Sequence, residues 1–399
     1  MKETRECEER IRGSDHSNVA LNRIGLGERL IADDELEAAI EVRKDALARA
    51  VRERSDAIAH KHFLLGCALH YHACGSNLKD AVHHLQAAVA LAPVVGKTDS
   101  EQITMRYRLG FALMTFGDDC EAVQVLLPAY QDARRLHGKD HFQTVKIRCT
   151  LAYALGFLGS FAAAIDHLRA CLQYPKAGLH SALGVQFFYL DQFDEALNCF
   201  EAAVALNEKS YAIEKALYRS NLARCLLALG RTGPAAAHLE VATAITSKLP
   251  LNHIDRLRDR HIAALLLGQD PKSVAELQSL VADASTTLHS KHRLLAMYYH
   301  DLSDACLRQN ELVLAEAYSR QALQISVGPT NNLAQYAESW QAARDRIKLA
   351  EILEKRGRFE EVVDLLQRAV APCVATFGRD HGKVVKLQRK LSAVLLQRS

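Results

Sequence analysis

Apolar residues return at three- and four-residue intervals along most of this chain, the spacing of helices that bury one face. A longer recurrence lies over that one. Leu109-Gly110, Leu113, Gly117, Ala122, Leu126 and Ala129 are matched by Leu183-Gly184, Phe187, Phe193, Ala196, Phe200 and Ala203. The small residue of the pattern falls at Gly27, Gly66, Gly110, Ala152, Gly184, Ala223, Ala263, Ser303 and Ala350. A period of about 40 residues predicts pairs of helices stacked into an array, which offers an extended binding surface rather than a catalytic cleft.

Each part of the pattern has a packing reason. The small residue on the first helix of a pair lets the second helix approach closely. Ala39, Ala81, Ala122, Ala164, Ala196, Ala235, Ala275 and Ala315 do the same from the second helix. Gly117, Gly159, Gly230 and Gly357 stand where the first helix must stop. Two units depart from the pattern. The second carries extra residues between His70 and Asn77, and the seventh places Lys272 and Ser279 where large apolar side chains are usual.

Over residues 17–372 these features resemble tetratricopeptide repeats. A junction loop recurs as Gly13-Ser14-Asp15-His16, Gly138-Lys139-Asp140-His141 and Gly378-Arg379-Asp380-His381, with the Asp placed to cap the incoming helix. Long repeats joined by such a loop resemble the kinesin-light-chain type of array. The resemblance implies an all-α, right-handed superhelical α-solenoid of about nine helix pairs with a C-terminal capping helix. It divides the chain into residues 1–16, a charged cap or the end of a truncated repeat; 17–372, the array; and 373–399, a loop and the capping helix. It also implies a protein or peptide partner, because arrays of this type bind peptides and proteins.

Composition narrows the setting. Of 399 residues 49% are hydrophobic and only 8 are Pro, and no run of apolar residues is long enough to span a bilayer. The first residues are charged, which predicts no secretory signal. The 10 Cys lack paired spacing and suit reduced thiols, so a cytoplasmic location is expected. Net charge is +3, from 50 basic and 47 acidic side chains, without the basic excess of a nucleic-acid binder. Neither nucleic acid nor membrane is expected as a partner, and self-association is open.

The residues carry little chemistry. Cys67, His70 and Cys74 share a helical face but do not complete a tetrahedral set, so no metal is expected. Asp33-Asp34-Glu35 and Asp118-Asp119-Cys120-Glu121 precede second helices, where acids favour the positive helix end. Phosphate-loop, nucleophile-elbow and zincin motifs are absent. No cofactor and no catalytic residue is expected, and the chain reads as a non-enzyme.

The resemblance also implies which positions of each first helix line the concave groove. Counting from the small residue puts Phe63, His70, Tyr71, Tyr107, Phe111, Met114, Tyr153, Phe157, Phe188 and Tyr189 on the amino-terminal half of the groove. The other half receives Ser220, Arg224, Arg260, His300, Asp304, Arg308, Arg344, Glu351 and Lys355, with Asn221, His261 and Asp301 adjacent. Two readings of the aromatic set stand: anchors for a ligand, or packing against the neighbouring first helix. The cations suit a carboxylate, and Asp301 and Asp304 are near enough in sequence to neutralise them. The function expected is an adaptor gripping an extended peptide or helix. The alternatives are a regulatory or sensor module of a larger signalling protein binding a small ligand, and, behind it, an enzyme using the superhelix cavity.

Overall fold

The computed structural model describes residues 33–72, 77–172, 176–207, 212–327 and 340–398. The loop at Gly13, the small residue Gly27, the side chains of Asp33-Asp34-Glu35 and Ala39, and Cys74 lie outside the described set. All the regular structure described is helical. The first helix, α1 (Asp33–Arg52), is followed by pairs: α2 (Ile58–His72) with α3 (Asn77–Leu91), α4 (Asp99–Phe116) with α5 (Asp119–His137), and α6 (Phe142–Phe157) with α7 (Phe161–Arg169). Next come α8 (Ala177–Tyr189) with α9 (Phe193–Ala205), α10 (Ala212–Ala228) with α11 (Thr232–Thr246), and α12 (Ile254–Leu266) with α13 (Lys272–Thr287). The last pairs are α14 (Arg293–Arg308) with α15 (Leu312–Ser326) and α16 (Trp340–Lys355) with α17 (Phe359–Phe377), and α18 (Gly382–Arg398) follows. Each helix packs on its neighbours in sequence, and first helices also touch first helices of adjacent units. The result is a superhelical α-solenoid.

The small residues interlock as their spacing requires. A Cβ on Gly110 would lie 2.4 Å from Leu126 Cγ, and one on Gly184 would lie 2.7 Å from a ring carbon of Phe200. On the second helices Ala81, Ala122, Ala164, Ala196, Ala235 and Ala315 are fully buried. First helices end on a left-handed residue, which is Gly117, Gly159, Gly230 or Gly357 in four units and Asp191 or Asn310 in two.

The seventh unit keeps this geometry in a shifted register. Its left-handed residue is Gly268, and counting back from it puts His261 and Ser273, not Ala263 and Ala275, at the close contact. Both alanines are exposed, whereas Ser273 is fully buried and its hydroxyl donates to the Ala264 carbonyl at 2.9 Å. The stop of the helix, rather than the nearest small residue, sets the register.

The junction loops also differ from expectation in their capping group. His141 Nδ1 accepts from the Gln143 amide at 3.2 Å, and His381 Nδ1 accepts from the Lys383 amide at 3.3 Å. The imidazole, not the preceding Asp, therefore satisfies one of the free amides in the first turn of the incoming helix. His253 and His292 do the same for α12 and α14.

The superhelix curls until units five apart meet. Arg293, at the start of α14, donates to the Met114 carbonyl at 2.8 Å and to the Asp119 carboxylate at 3.1 and 3.3 Å. His292 Nε2 donates to the Thr115 carbonyl at 3.0 Å, its Nδ1 being occupied as the cap. Gly117 leaves room for that imidazole, since a Cβ there would lie 2.6 Å from the ring. One unit on, Gln341 donates to the Phe157 carbonyl at 2.7 Å, and the Trp340 ring sits 5.8 Å from that of Phe161. Lys383 of α18 reaches Asp191 at 2.9 Å. These contacts form a clasp that closes one turn of the solenoid.

Candidate binding groove

Curling brings α14 against the end of α4 and α16 against the end of α6, so aromatic and polar first helices meet there. Phe63, Tyr107 and Met114 are buried, while Tyr71, Phe111, Tyr153, Phe157, Phe188 and Tyr189 are half-buried. Tyr107 and Phe111 stack almost parallel with centroids 6.4 Å apart, and Tyr153 stacks on Phe157 at 6.3 Å. Burial pushes the Tyr153 hydroxyl up to about 12, against a hydrogen bond with Ser181. His70 bonds Thr115 Oγ1 at 2.9 Å and meets Phe111 edge-on at 5.0 Å. Burial, aided by the charge of Arg108, holds that imidazole down at about 3, so it is neutral.

Cations lie on these rings. Arg108 donates to the Tyr71 hydroxyl at 3.1 Å, Lys146 stands 5.4 Å over Tyr107, Arg293 stands 3.9 Å over Phe157, and Arg224 stands 4.4 Å over Phe188. Arg108, Lys146 and Arg293 were not among the residues that position counting singled out. Arg108 follows the groove-lining Tyr107, and Lys146 stands six residues before the small residue Ala152, itself a groove position. Arg293 arrives from another turn, and no local signal points to it.

The polar half forms a ladder from unit to unit. Asn221 donates to Ser181 Oγ at 3.2 Å, and Asp259 accepts from Ser220 and, at 2.6 Å, from Thr246. His261 pairs with Asp301 at 2.8 Å. His300 pairs with Asp345 at 2.7 Å, and Asp345 also accepts from Ser326 at 2.6 Å. Burial raises the Asp259 carboxyl. For Asp301 burial acts in the same direction, but the hydrogen bond and charge of His261 outweigh it and hold the carboxyl at about 2.

Most cations of this half are engaged. Asp304 takes Arg308 and, at 2.7 Å, Lys348, which also reaches Glu351 at 2.9 Å. Arg344 pairs with Asp345 at 3.0 Å. Arg260 turns to its own second helix, bonding Asp283 at 2.7 Å and Ser279 at 3.2 Å. The shifted register of the seventh unit explains this, because it gives the groove position to Arg258, paired with Asp255 at 2.7 Å. Gly268 is the sequence signal that would have found it.

The acidic run before α5 has two roles. Asp118 accepts from the Glu121 amide at 3.1 Å and caps the helix, while Asp119 belongs to the clasp. Burial raises the Asp119 carboxyl to about 6 despite Arg293. Among the described residues no three His, Cys, Asp or Glu gather as metal ligands, and no helix is long and apolar enough to cross a membrane.

Comparison with known proteins bears on the fold. Two family models, each described as tetratricopeptide repeat, match residues 175–248 and 347–375. No curated protein sequence matches the chain. Among solved structures, a Rap protein complexed with Competence and Sporulation Factor aligns with a TM-score of 0.53 at 16% identity, covering 74% of this chain and 88% of that one. The quorum sensor NprR from B. thuringiensis, in its apo form, aligns at 0.49 and 13% identity over 85% of this chain and 99% of its own. A Podosopora anserina kinesin-light-chain candidate of nearly identical TPR-like repeats aligns at 0.37 and 23% identity, over 53% of this chain and 97% of its own. The Rap likeness is one of fold. Small residues interlock in successive helix pairs, and the chain carries tetratricopeptide repeats over 175–248 and 347–375.

Proposed function

We propose that the protein is a non-catalytic adaptor that holds an extended peptide or a helix of a protein partner inside its superhelix. The reading is carried by the row of half-buried rings Tyr71, Phe111, Tyr153, Phe157, Phe188 and Tyr189 on one run of first helices and the preorganised polar ladder on the run that follows. Aromatic side chains bury large area at small rotamer cost, and pre-paired polar groups present fixed donors and acceptors. Asn221, His300, Asp304 and Arg308 supply the ladder's share of contacts. The binding array, expected over residues 17–372, takes in the rest of α17 to Phe377, and α18 covers the last pair. A cytoplasmic setting fits the unpaired thiols, and neither nucleic acid nor membrane is needed as a partner.

The clasp favours a second reading within the same fold, a regulatory module whose bound ligand biases an open or closed turn. A solenoid of shared fold, the Rap protein, has been solved with Competence and Sporulation Factor.

The test is selection of random displayed peptides against the protein, followed by fluorescence anisotropy with the selected sequences on wild type, Tyr71→Ala and Phe188→Ala. Loss of about tenfold or more in affinity, with helical circular dichroism and melting retained, supports the groove. Unchanged affinity in both variants would place binding elsewhere on the array.

A further inference from the structure

Two cysteines that the groove does not use lie together in the fourth unit. Cys149 stands on α6 and Cys171 in the turn that follows α7, and their thiols are in hydrogen-bond contact. Both belong to one apolar cluster. Cys171 is 1% exposed, and its sulfur lies 3.4 Å from the His167 carbonyl oxygen. Cys149 is half-buried, so the pair is not sealed from solvent.

The charges around the pair favour an anion. Arg148 Nε donates to His167 Nδ1 at 3.3 Å, its guanidinium stands 5.7 Å over the Tyr130 ring, and it also hydrogen-bonds the Cys171 sulfur. Lys176 acts on Cys149 in the same sense, while Asp140 opposes at Cys171 more weakly than Arg148. The hydrogen bond from Cys149, followed by Arg148, holds the Cys171 thiol down at about 7 against burial. The same bond pushes Cys149 up, so the shared proton stays there. Cys120 and Cys199 are also half-buried, yet burial and the neighbouring acids, Asp118 and Asp119 for the first and Glu195 for the second, push both up to about 11. Among the described cysteines the most readily ionised thiol is therefore the one with a second sulfur against it.

We propose that Cys149 and Cys171 are a modification site, which a hydroperoxide converts into a reversible disulfide stapling α6 to the end of α7. The Cys171 thiolate attacks one oxygen of hydrogen peroxide, the O–O bond breaks, and Cys171 becomes a sulfenic acid as hydroxide leaves. The Cys149 sulfur then attacks the sulfenic sulfur, the S–O bond breaks, and the departing oxygen leaves as water with the Cys149 proton. The hydroxide of the first step takes up the proton that Cys171 had released. Two thiols thus lose two electrons, and peroxide accepts them in becoming two waters. The stapled stretch contains Phe157 and Phe161, on which Gln341 and Trp340 dock. The site is independent of any ligand in the groove.

The test treats the fully reduced full chain with equimolar hydrogen peroxide, alkylates the remaining thiols and reads a non-reducing digest by mass spectrometry. The expected product is a linked peptide pair containing Cys149 and Cys171, two hydrogens lighter than the separate peptides and reversed by dithiothreitol. It should form about tenfold faster than any oxidation of Cys120 or Cys199. Cys149→Ser should stop at a sulfenic acid on Cys171 that dimedone labels, and Arg148→Gln should slow linkage several-fold with helical circular dichroism retained. Amides over 161–171 should exchange about tenfold more slowly in the oxidised form. Oxidation of Cys120 and Cys199 as fast as the pair, or no dimedone label on Cys171 in Cys149→Ser, overturns the site. An unchanged linkage rate in Arg148→Gln overturns the charge argument behind it, and equal exchange in the two forms overturns the staple.

Discussion

Replacing Arg293 with Ala should weaken two parts of the protein that lie 174 residues apart in sequence. In wild type this side chain bonds the Asp119 carboxylate and the Met114 carbonyl and covers the Phe157 ring. Without it, Asp119 keeps a buried charge or takes a proton. Its carboxyl already titrates at about 6, so at pH 7 protonation limits the added electrostatic cost to about one pKa unit, roughly 1.4 kcal/mol. The carbonyl bond adds about 1 kcal/mol and the ring contact about 0.5–1 kcal/mol. Their sum is about 3 kcal/mol at pH 7. At pH 5, where Asp119 is protonated with or without its partner, only about half of that remains. Urea unfolding at both pH values measures the loss, and amide hydrogen exchange locates it. A solenoid held only by neighbouring units would lose protection near α14 alone. The clasp requires that amides at the end of α4 and the start of α5 lose protection too. Unchanged exchange over 113–122 in a variant deprotected at 293–300 would refute the closed turn.

Gly110→Ala drives a methyl into Leu126 at 2.4 Å and should destabilise by about 1–3 kcal/mol; an unchanged denaturation midpoint would count against the close helix contact. His70 is held near 3 when folded, against an ordinary value of 6.5, so its contribution is fully present above pH 6.5 and is lost as pH falls towards 3. The urea midpoint of wild type should therefore drop on acidification more steeply than that of His70→Phe, and equal slopes would remove His70 as the cause. Asn310 holds a left-handed backbone that Gly adopts without strain, so Asn310→Gly should leave stability level or raise it by a few tenths of a kcal/mol, read as melting temperature. A clear fall would show that the Asn side chain supports the turn.

What could be read in the sequence was whatever depends on neighbours along the chain. The match of Gly110 to Leu126 and of Gly184 to Phe200 lies within single helix pairs, so a fixed spacing exposes it. The seventh unit was misregistered because Ala263 and Ala275 have the right size and spacing, while the residue that ends the helix is Gly268. The capping histidines were hidden by an Asp beside them that is the commoner cap. Arg293, Trp340 and Gln341 could not have been found from periodicity, because their contacts depend on small rotations summed over five units. The same limit applied to the groove. Position counting found the rings, but which cations were left without acids depended on partners one unit away, such as Lys348 for Asp304.

The clasp also bears on how the chain is made. An emerging solenoid can pack each unit on the one before it as soon as that unit leaves the ribosome, but Asp119 must wait for Arg293, 174 residues later. At about 5–20 residues per second the interval is on the order of ten seconds or more. Throughout it the early units stand finished on one side and bare on the other, with Phe157 and Trp340's docking place beside Phe161 open to any passing apolar segment. The late units thus act towards the early ones as a built-in chaperone that arrives last.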